Sequence, residues 1–380
     1  MFFATSGILR GNRKKYFPEL EGMELIERSD LEYFFTHSNR FLEKEDTHLE
    51  AGRKIENFNR PKILFKENVI GWSELMISLN DQNSVFIKGL FAIASDDKEN
   101  LKELFSILIS HLYTYYIFII SCGWGISTRP QIRWNDEYLS FPIFEPNQQH
   151  SKRLIELVNQ LIKSIRKHQE SPEYKFNPDT FDPLLLPEVK QCLEDINNLI
   201  DDLHQIKDYE RDIIDYALEV SRYQFQESKQ DKFLKKIDGD RAFLKRYGEV
   251  FLKEIGNIYP EEFIQIEIYR LKYFIAMNFV FKKEEPKDKI IFPKSENEKT
   301  VLQALANNFS ISKLIDTEDP EKNLFVQKDI KGFEKDSFYI IKPNEFKSWH
   351  RARAWYDVTE IKEALQNAEL EALNNTSEWA

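Results

Sequence analysis

Hydrophobic residues in the first part of the chain occur in short runs separated by polar loops. Runs of this length, rich in Ile, Val and Phe, are typical of buried strands. The pattern predicts strands at residues 63–65, 85–94 and 138–143 and a helix at residues 98–121. Asp96 and Asp97 precede the helix and are suited to cap its first turn. Residues 1–147 therefore predict an α/β domain.

The spacing then changes to the three-to-four-residue period of amphipathic helices. Helices are predicted at residues 151–169, 189–206, 208–226 and 240–256, with a Pro-rich connection after the first. Residues 148–258 are therefore expected to form a helical spacer or partner-binding region.

Beyond residue 258, apolar and polar residues alternate again, as at Ile264, Ile266 and Ile268. The elements predicted there are strands at residues 264–268, 273–281, 324–326 and 338–341 and helices at 297–309 and 358–373. Residues 259–380 thus predict an α+β C-terminal domain, and the chain as a whole a mixed α+β protein.

Composition restricts the kind of protein more than its activity. The chain has 380 residues, 42% of them hydrophobic. Its formal net charge of −11 excludes a protein that coats nucleic acid with a uniformly basic surface, but it does not exclude a positive docking face. Cys122 and Cys192 are far apart in sequence and provide neither a disulfide framework nor metal-ligand spacing, so we expect a reduced, cytoplasmic setting. The apolar stretch 104–120 carries many hydroxyl groups and is interpreted as a buried helix, not a membrane span.

Several catalytic motifs are absent from the sequence. It contains no Walker-type or dinucleotide-binding glycine loop, no His-Glu-x-x-His, no Gly-x-Ser-x-Gly, and no Asn-Pro-Pro-Tyr or Asp-Pro-Pro-Tyr tetrapeptide. We therefore expect no catalytic residue, metal site or bound cofactor in this chain, and no catalysis by the chain alone.

Two polar stretches could contact DNA. The first contains Arg and Lys suited to phosphates and an Asn suited to adenine, namely Arg53, Lys54, Asn59, Arg60, Lys62 and Lys66. Its alternative interpretation is a solvated, salt-bridged surface, because acidic residues interleave.

The second stretch follows the long apolar helix. Arg129, Gln131 and Arg133 alternate and would point the same way in an extended segment, and these residue types commonly contact guanine and adenine edges. Trp124 would support this loop or press against the sugar–phosphate backbone. The alternative is a structural loop held by Trp124.

Five segments occur in the following order along the chain: residues 60–66, the predicted strand 91–94, the predicted helix 100–121, the turn 121–126 and residues 138–142. Over about residues 51–146, this order resembles the target-recognition domain that follows the catalytic domain in Taq-type adenine methyltransferases and fused restriction–modification enzymes. Residues 215–221 and 272–279 also resemble segments found downstream in such proteins, and residues 336–352 resemble a closing segment of bacterial defence-locus proteins.

The resemblance implies a non-catalytic specificity subunit that recognises double-stranded DNA for a restriction–modification or phage-defence complex. In that family the methyl-donor site and the catalytic tetrapeptide precede the recognition domain, and this chain has neither. S-adenosylmethionine would therefore bind a separate adenine-specific methyltransferase subunit, with or without a nuclease subunit, and no membrane partner is expected.

Two other functions stay open. Asp336, Glu345 and Lys347 imitate the residues of a metal-dependent nuclease, and His350 beside two arginines could serve RNA cleavage in a toxin-like effector. The third possibility is a scaffold subunit that does not contact DNA, which the acidic balance and helical middle would suit.

Overall fold

The computed structural model describes residues 2–8, 14–36, 38–44, 48–50, 55–67, 75–121, 134–171, 182–224, 230–237, 239–293, 329–333 and 336–377. It is a mixed α+β protein that divides into two compact units, Met1–Leu218 (unit 1) and Glu219–Ala380 (unit 2). The predicted spacer, residues 148–258, is divided between them because its first helices bury their apolar faces in the core of unit 1 and its last helix packs in unit 2.

Unit 1 contains eight described strands: β1 Phe2–Ser6, β2 Lys14–Tyr16, β3 Glu24–Ile26, β4 His48–Glu50, β5 Lys62–Lys66, β6 Ile77–Asn80, β7 Ser84–Phe86 and β8 Leu90–Ser95. Its helices are α1 Lys98–Leu108, α2 His111–Ile120, α3 Gln148–Gln169, α4 Pro187–Leu203 and α5 Asp208–Tyr216. Short helical turns occur at Pro18–Leu20, Arg28–Asp30, Ile55–Asn59, Trp134–Tyr138 and Pro183–Leu185, and the turn Ala217–Ser221 contains the boundary between the units.

The main sheet of unit 1 has the order β1-β8-β5-β6 with antiparallel neighbours. Ile63 and Phe65 on one face of β5 pack into the core formed with α1 to α4, whereas Leu64 on the other face packs against a second core around Phe58 and Phe86. Burial on both faces explains why β5 is an uninterrupted apolar run rather than an alternating one.

The predicted strand 85–94 is two strands. Gly89 between them has φ +93°, and Leu90 N donates to Ile87 O over 3.2 Å, which closes a turn. Only glycine adopts this backbone conformation without strain, so the Lys88-Gly89 pair is where the apolar run reverses.

The predicted helix 98–121 is also interrupted. Asp97 caps α1 as expected, accepting from Glu99 N and Asn100 N at 3.0 Å each. Ser110 then caps a second helix by accepting from Tyr113 N, and the two helices are bent by 61°. Among the described residues no single helix is long and apolar enough to cross a membrane, and α1 and α2 meet those criteria only when taken together.

No strand forms at residues 138–143. Tyr138 closes a π-helical turn, and Phe141 packs edge-on against Tyr113 with ring centroids 5.3 Å apart. The Tyr116 hydroxyl donates to Ser140 O over 2.9 Å, so this stretch is held by aromatic side chains of α2 instead of by strand pairing.

Unit 2 contains strands β9 Phe263–Arg270, β10 Phe274–Lys282, β11 Ile290–Ile291, β12 Ile330–Phe333 and β13 Ser337–Pro343. Its helices are α6 Arg222–Gln224, α7 Gln230–Leu234, α8 Arg241–Gly256, α9 Phe346–Trp349 and α10 Arg351–Ser377. The sheet order is β11-β9-β10-β13-β12, and only the β11–β9 pair is parallel. Ile264, Ile266 and Ile268 face the core with α8 and α10, as their alternation predicts. The elements predicted at residues 297–309 and 324–326 lie outside the described residues.

Candidate nucleic-acid interface

Lys66, at the end of β5, lies where the residues that flank two segments, 68–74 and 122–133, meet. Its carbonyl accepts a hydrogen bond of 2.9 Å from the Tyr138 hydroxyl, and its backbone N–H donates to Met76 O over 3.3 Å. Ser121 Oγ lies 3.3 Å from Glu137 Oε2. The residues that flank segments 68–74 and 122–133 are therefore joined in one place.

Several predicted contacts lie outside the described residues. They are the phosphate contacts Arg53 and Lys54, the base readers Arg129, Gln131 and Arg133, and the supporting Trp124. The residues on either side of segment 122–133, however, are described. Ser121 contacts Glu137, and the neighbouring Tyr138 is fixed to the end of β5.

Two cations that the sequence analysis did not select lie beside this end of β5. Arg28 Nε donates to Lys88 O over 3.1 Å, and Glu67 N donates to Gly89 O over 3.0 Å, so the turn at Lys88 is adjacent to the end of β5. Arg28 and Lys88 are both exposed. Burial lowers the pKa of Lys66, an effect that Glu32 opposes and Arg28 increases. Three cations thus lie at one edge of unit 1.

Their arrangement depends on contacts across 60 residues of sequence, which explains why spacing did not reveal it. The available signal was the Lys-Gly pair at residues 88 and 89, which marks a turn with an exposed cation. Nearby acidic charge is partly neutralised, because Arg40 pairs with Glu27 at 2.8 Å and with Asp30 at 2.5 Å.

Lys62 does not fit the predicted phosphate contact. Its side chain is buried, and Nζ donates to Phe58 O at 3.3 Å, Gln82 O at 3.1 Å and Ser84 Oγ at 3.1 Å. Burial lowers the pKa of this amine to about 7, against the opposing attraction of Glu24. Lys62 therefore has a structural role, and we remove it from the proposed DNA contacts.

Asn59 and Arg60 lie near the opposite end of β5 from Lys66, about 13 Å away for a strand of this length. Asn59 is exposed. Arg60 donates to Asp96 Oδ1 over 2.7 Å, and its guanidinium lies 4.2 Å from the centre of the Phe3 ring. A phosphate contact by Arg60 would have to share or replace this ion pair, so the predicted basic stretch is not one continuous patch.

A buried ionic cluster holds α2, α4 and α5 together. His111 Nε2 lies 2.8 Å from Asp201 Oδ1, and Nδ1 lies 3.5 Å from Asp215 Oδ1. Arg211 Nε also donates to Asp201, over 2.6 Å, and His111 N donates to Asn197 Oδ1 over 2.9 Å. Desolvation alone would lower the pKa of His111, but its hydrogen bonds and charge interactions with the two carboxylates raise it to about 9. The imidazole is therefore a cation at neutral pH.

The conspicuous segment 342–350 of unit 2 is part of the core. The buried Lys342 ammonium pairs with the buried carboxylate of Asp357, which also accepts from the Tyr247 hydroxyl over 2.7 Å and pairs with Lys331 at 2.8 Å. Trp349 is fully buried and donates to Pro343 O over 3.0 Å. These residues stabilise unit 2.

The geometry is unfavourable for the nuclease interpretation. Asp336 precedes β13 and Glu345 follows it, so the length of the strand places them about 20 Å apart, too far to share a metal ion. Glu345 instead pairs with Lys347 at 3.3 Å. His350 is buried against aromatic rings, with Nδ1 accepting from Ala352 N over 3.2 Å. No group of three or more metal-ligating side chains occurs among the described residues.

Comparisons with known proteins give one partial similarity that we report. No protein-family model and no curated protein matches the chain. A part amounting to 39% of this chain is similar in structure to the type IIL restriction–modification enzyme MmeI, solved in complex with DNA, at a TM-score of 0.32 and 17% sequence identity. The similar part spans 19% of the MmeI chain. At this level of similarity, we base the functional proposal on the chain's own residues.

Proposed function

We propose that unit 1 recognises a short duplex DNA sequence and supplies target specificity to a methyltransferase-based restriction–modification or phage-defence complex. The observation that carries the proposal is that the residues flanking segments 68–74 and 122–133 meet at the end of β5, where Lys66 lies with two further cations, Arg28 and Lys88. DNA readers need this combination, because backbone contacts fix the register of the protein and loop side chains then read the bases.

In this proposal the cations Arg28, Lys66 and Lys88 contact phosphates. Arg129, Gln131 and Arg133 contact base edges in the major groove, where Arg and Gln make two hydrogen bonds to guanine and adenine respectively. Further proposed contacts are Arg53, Lys54, Asn59, Arg60 and Trp124.

Methyl transfer is assigned to a partner. The sequence has none of the tetrapeptides that hold a flipped adenine, and its resemblance to methyltransferases covers only the recognition domain. S-adenosylmethionine and the transfer step would belong to a separate adenine-specific methyltransferase subunit, and restriction to that subunit or to a nuclease.

The test compares single variants of the full chain on a panel of duplexes. Arg129→Ala and Arg133→Ala should each relax preference at one base pair, by about 1–3 kcal/mol. Lys66→Gln should weaken all duplexes alike and reduce the salt slope by about one. Lys98→Gln is the matched control, because it removes an exposed cation just after β8, at the opposite end of the sheet from Lys66.

Equal losses on all sequences for both arginine variants would reassign them to phosphate contacts. If the wild-type chain showed no salt-dependent duplex binding, the result would instead favour a scaffold subunit that does not contact DNA. Co-purification with a methyltransferase subunit tests the assigned partner directly.

A further inference from the structure

Unit 2 carries a group of exposed cations at one end of the β9–β10 hairpin. We define the hairpin-end surface by five residues: Lys235, Lys236, Arg241, Arg270 and Lys272. They come from the segment after α7, the start of α8 and the hairpin turn. The fold therefore concentrates positive charge here in a chain whose net charge is −11.

A buried asparagine fixes two of these segments to each other. Asn344 is 6% exposed, and its side chain accepts from Ile237 N over 3.0 Å and donates to Leu271 O over 3.1 Å. Its backbone N–H donates to Tyr273 O over 2.8 Å. The segment that carries Lys235 and Lys236 is thereby joined to the hairpin turn, so the surface is built into the fold.

Arginines from two elements lie over one aromatic ring. The guanidinium of Arg241 is 5.1 Å from the centre of the Phe292 ring, and that of Arg270 is 5.8 Å from it. Cation–π contact of this kind favours the charged group at the ring while its remaining donors stay available to solvent.

Lysines make the equivalent contact with two further rings. Lys236 and Lys272 each lie 4.8 Å from the centre of the Tyr273 ring, and Lys235 lies 4.2 Å from that of Phe346. The rings are only half-exposed and are covered by cations. They are therefore poorly placed to stack on unpaired bases, the interaction on which single-strand binders depend.

Four of the five cations are not neutralised by a described acidic residue. Within the described part of the chain, Lys235, Lys236, Arg241 and Arg270 form no ion pair with a carboxylate. Two acidic residues next to the surface are engaged elsewhere, since Asp240 caps α8 by accepting from Phe243 N over 2.9 Å and Glu267 accepts from the Tyr269 hydroxyl over 2.9 Å. Glu345 pairs with Lys347. Asp238 lies outside the described residues. The partner must consequently bring the negative charge.

We propose that the hairpin-end surface binds the phosphate backbone of duplex DNA, as a contact of unit 2 additional to the sequence-reading site of unit 1. Charge complementarity supports this contact, because cations held in place by the fold, four of them without an ion pair to a described carboxylate, match a regular polyanion. Covered aromatic rings favour a double strand over a single strand. This contact rests on the proposed function only in that the chain must bind duplex DNA, and it does not require the chain to select a sequence.

The test is a salt series of binding between the full chain and a 30-base-pair duplex of arbitrary sequence. The variant Lys235→Gln/Lys236→Gln/Arg241→Gln/Arg270→Gln removes four cations. If each cation contacts a phosphate, the slope of log affinity against log salt concentration should become less negative by about 3.6. The factor by which affinity falls between 50 and 200 mM salt should then be about 150-fold smaller than for the wild-type chain. All four side chains are exposed, so the variant should stay folded, with a melting temperature lowered only by the loss of the four cation–π contacts.

The matched control removes four lysines near the other end of the hairpin, at Lys282, Lys283, Lys287 and Lys289. It should leave the slope within about one of the wild-type value. The proposal is overturned if both variants change the slope equally, if neither does, if wild-type chain does not bind the duplex, or if it prefers a single strand.

The same series separates this inference from the proposed function. Loss of the hairpin-end cations should weaken every duplex and leave base preference intact. Arg129→Ala and Arg133→Ala should alter base preference while the slope contributed by unit 2 persists. Failure of one set of variants therefore does not imply failure of the other.

Discussion

The buried His111 predicts an unusual pH dependence of the stability of unit 1. Its pKa in the folded chain is about 9, against 6.5 for the free side chain. The folded state therefore retains a proton that the unfolded state releases. The resulting stabilisation is fully present below about pH 6.5 and is lost as the pH rises through about 9.

The size of the effect follows from the shift. A difference of about 2.5 pKa units corresponds to about 3 kcal/mol, and the ring is only 14% exposed, so solvent screening is limited. For a unit of 218 residues, this amounts to about 6–12 °C in melting temperature. Asp201 stays paired with Arg211 when its contact with His111 is lost, so about 3 kcal/mol is the upper value of the stabilisation by His111.

The assay is thermal unfolding of wild-type chain and His111→Gln from pH 6 to pH 10. Their difference should be largest near pH 6 and shrink towards pH 10. The difference is needed because Lys62, whose pKa falls from 10.5 to about 7, makes the stability rise between those pH values, opposite in sign to His111. His150→Gln is the control, since His150 forms no ion pair with any described residue. A pH-independent difference would refute the assignment of a protonated imidazole.

Two further predictions concern buried lysines. Lys62→Met should leave the salt slope of duplex binding unchanged, because the amine donates inward to Ser84. It should also abolish the rise in stability between about pH 7 and 10.5, because that rise comes from the lowered pKa of the amine. A salt slope reduced by about one would restore Lys62 as a phosphate contact. Asp357→Asn should destabilise unit 2 by about 3–5 kcal/mol in denaturant unfolding, because it leaves the Lys342 ammonium buried without its counter-charge. Adding Lys342→Met should recover most of that loss, and a single variant within about 1 kcal/mol of wild type would contradict this account.

Local sequence signals predicted the longer helices and the strands β5, β7 to β10 and β13, but not β1 to β4, β6, β11 or β12. Apolar runs located β5 and β13, and alternation located β9, because burial of one or both faces dictates those patterns. Helical spacing located α3, α4 and α8, and Asp97 located the start of α1.

The errors arose where distant contacts override local preference. The break before α2 depends on His111, whose partners Asn197 and Asp201 lie some 90 residues away in sequence. The stretch around Tyr138 is apolar enough for a strand, yet its hydroxyl bonds to Lys66 and fixes it as a turn. Neither contact is visible in a window of sequence.

The candidate site shows the same limit. Residue type suggested Lys66 and Lys62 equally, since a half-buried and a fully buried lysine look alike in sequence. Arg28 and Lys88 escaped notice because only the folded chain brings them to the end of β5. In unit 2, the sequence drew attention to residues 336–352, whereas the role of Asn344 as a structural link between cationic segments required the hydrogen bonds.

The most direct test of the central claim is selection of duplexes from a randomised library by the full chain at moderate salt, followed by sequencing. We expect enrichment of one short motif, with binding that weakens steeply as salt rises and with wild-type preference lost in Arg129→Ala or Arg133→Ala. Recovery of an unenriched library, or retention of no duplex at all, would contradict the proposal that this chain reads DNA sequence.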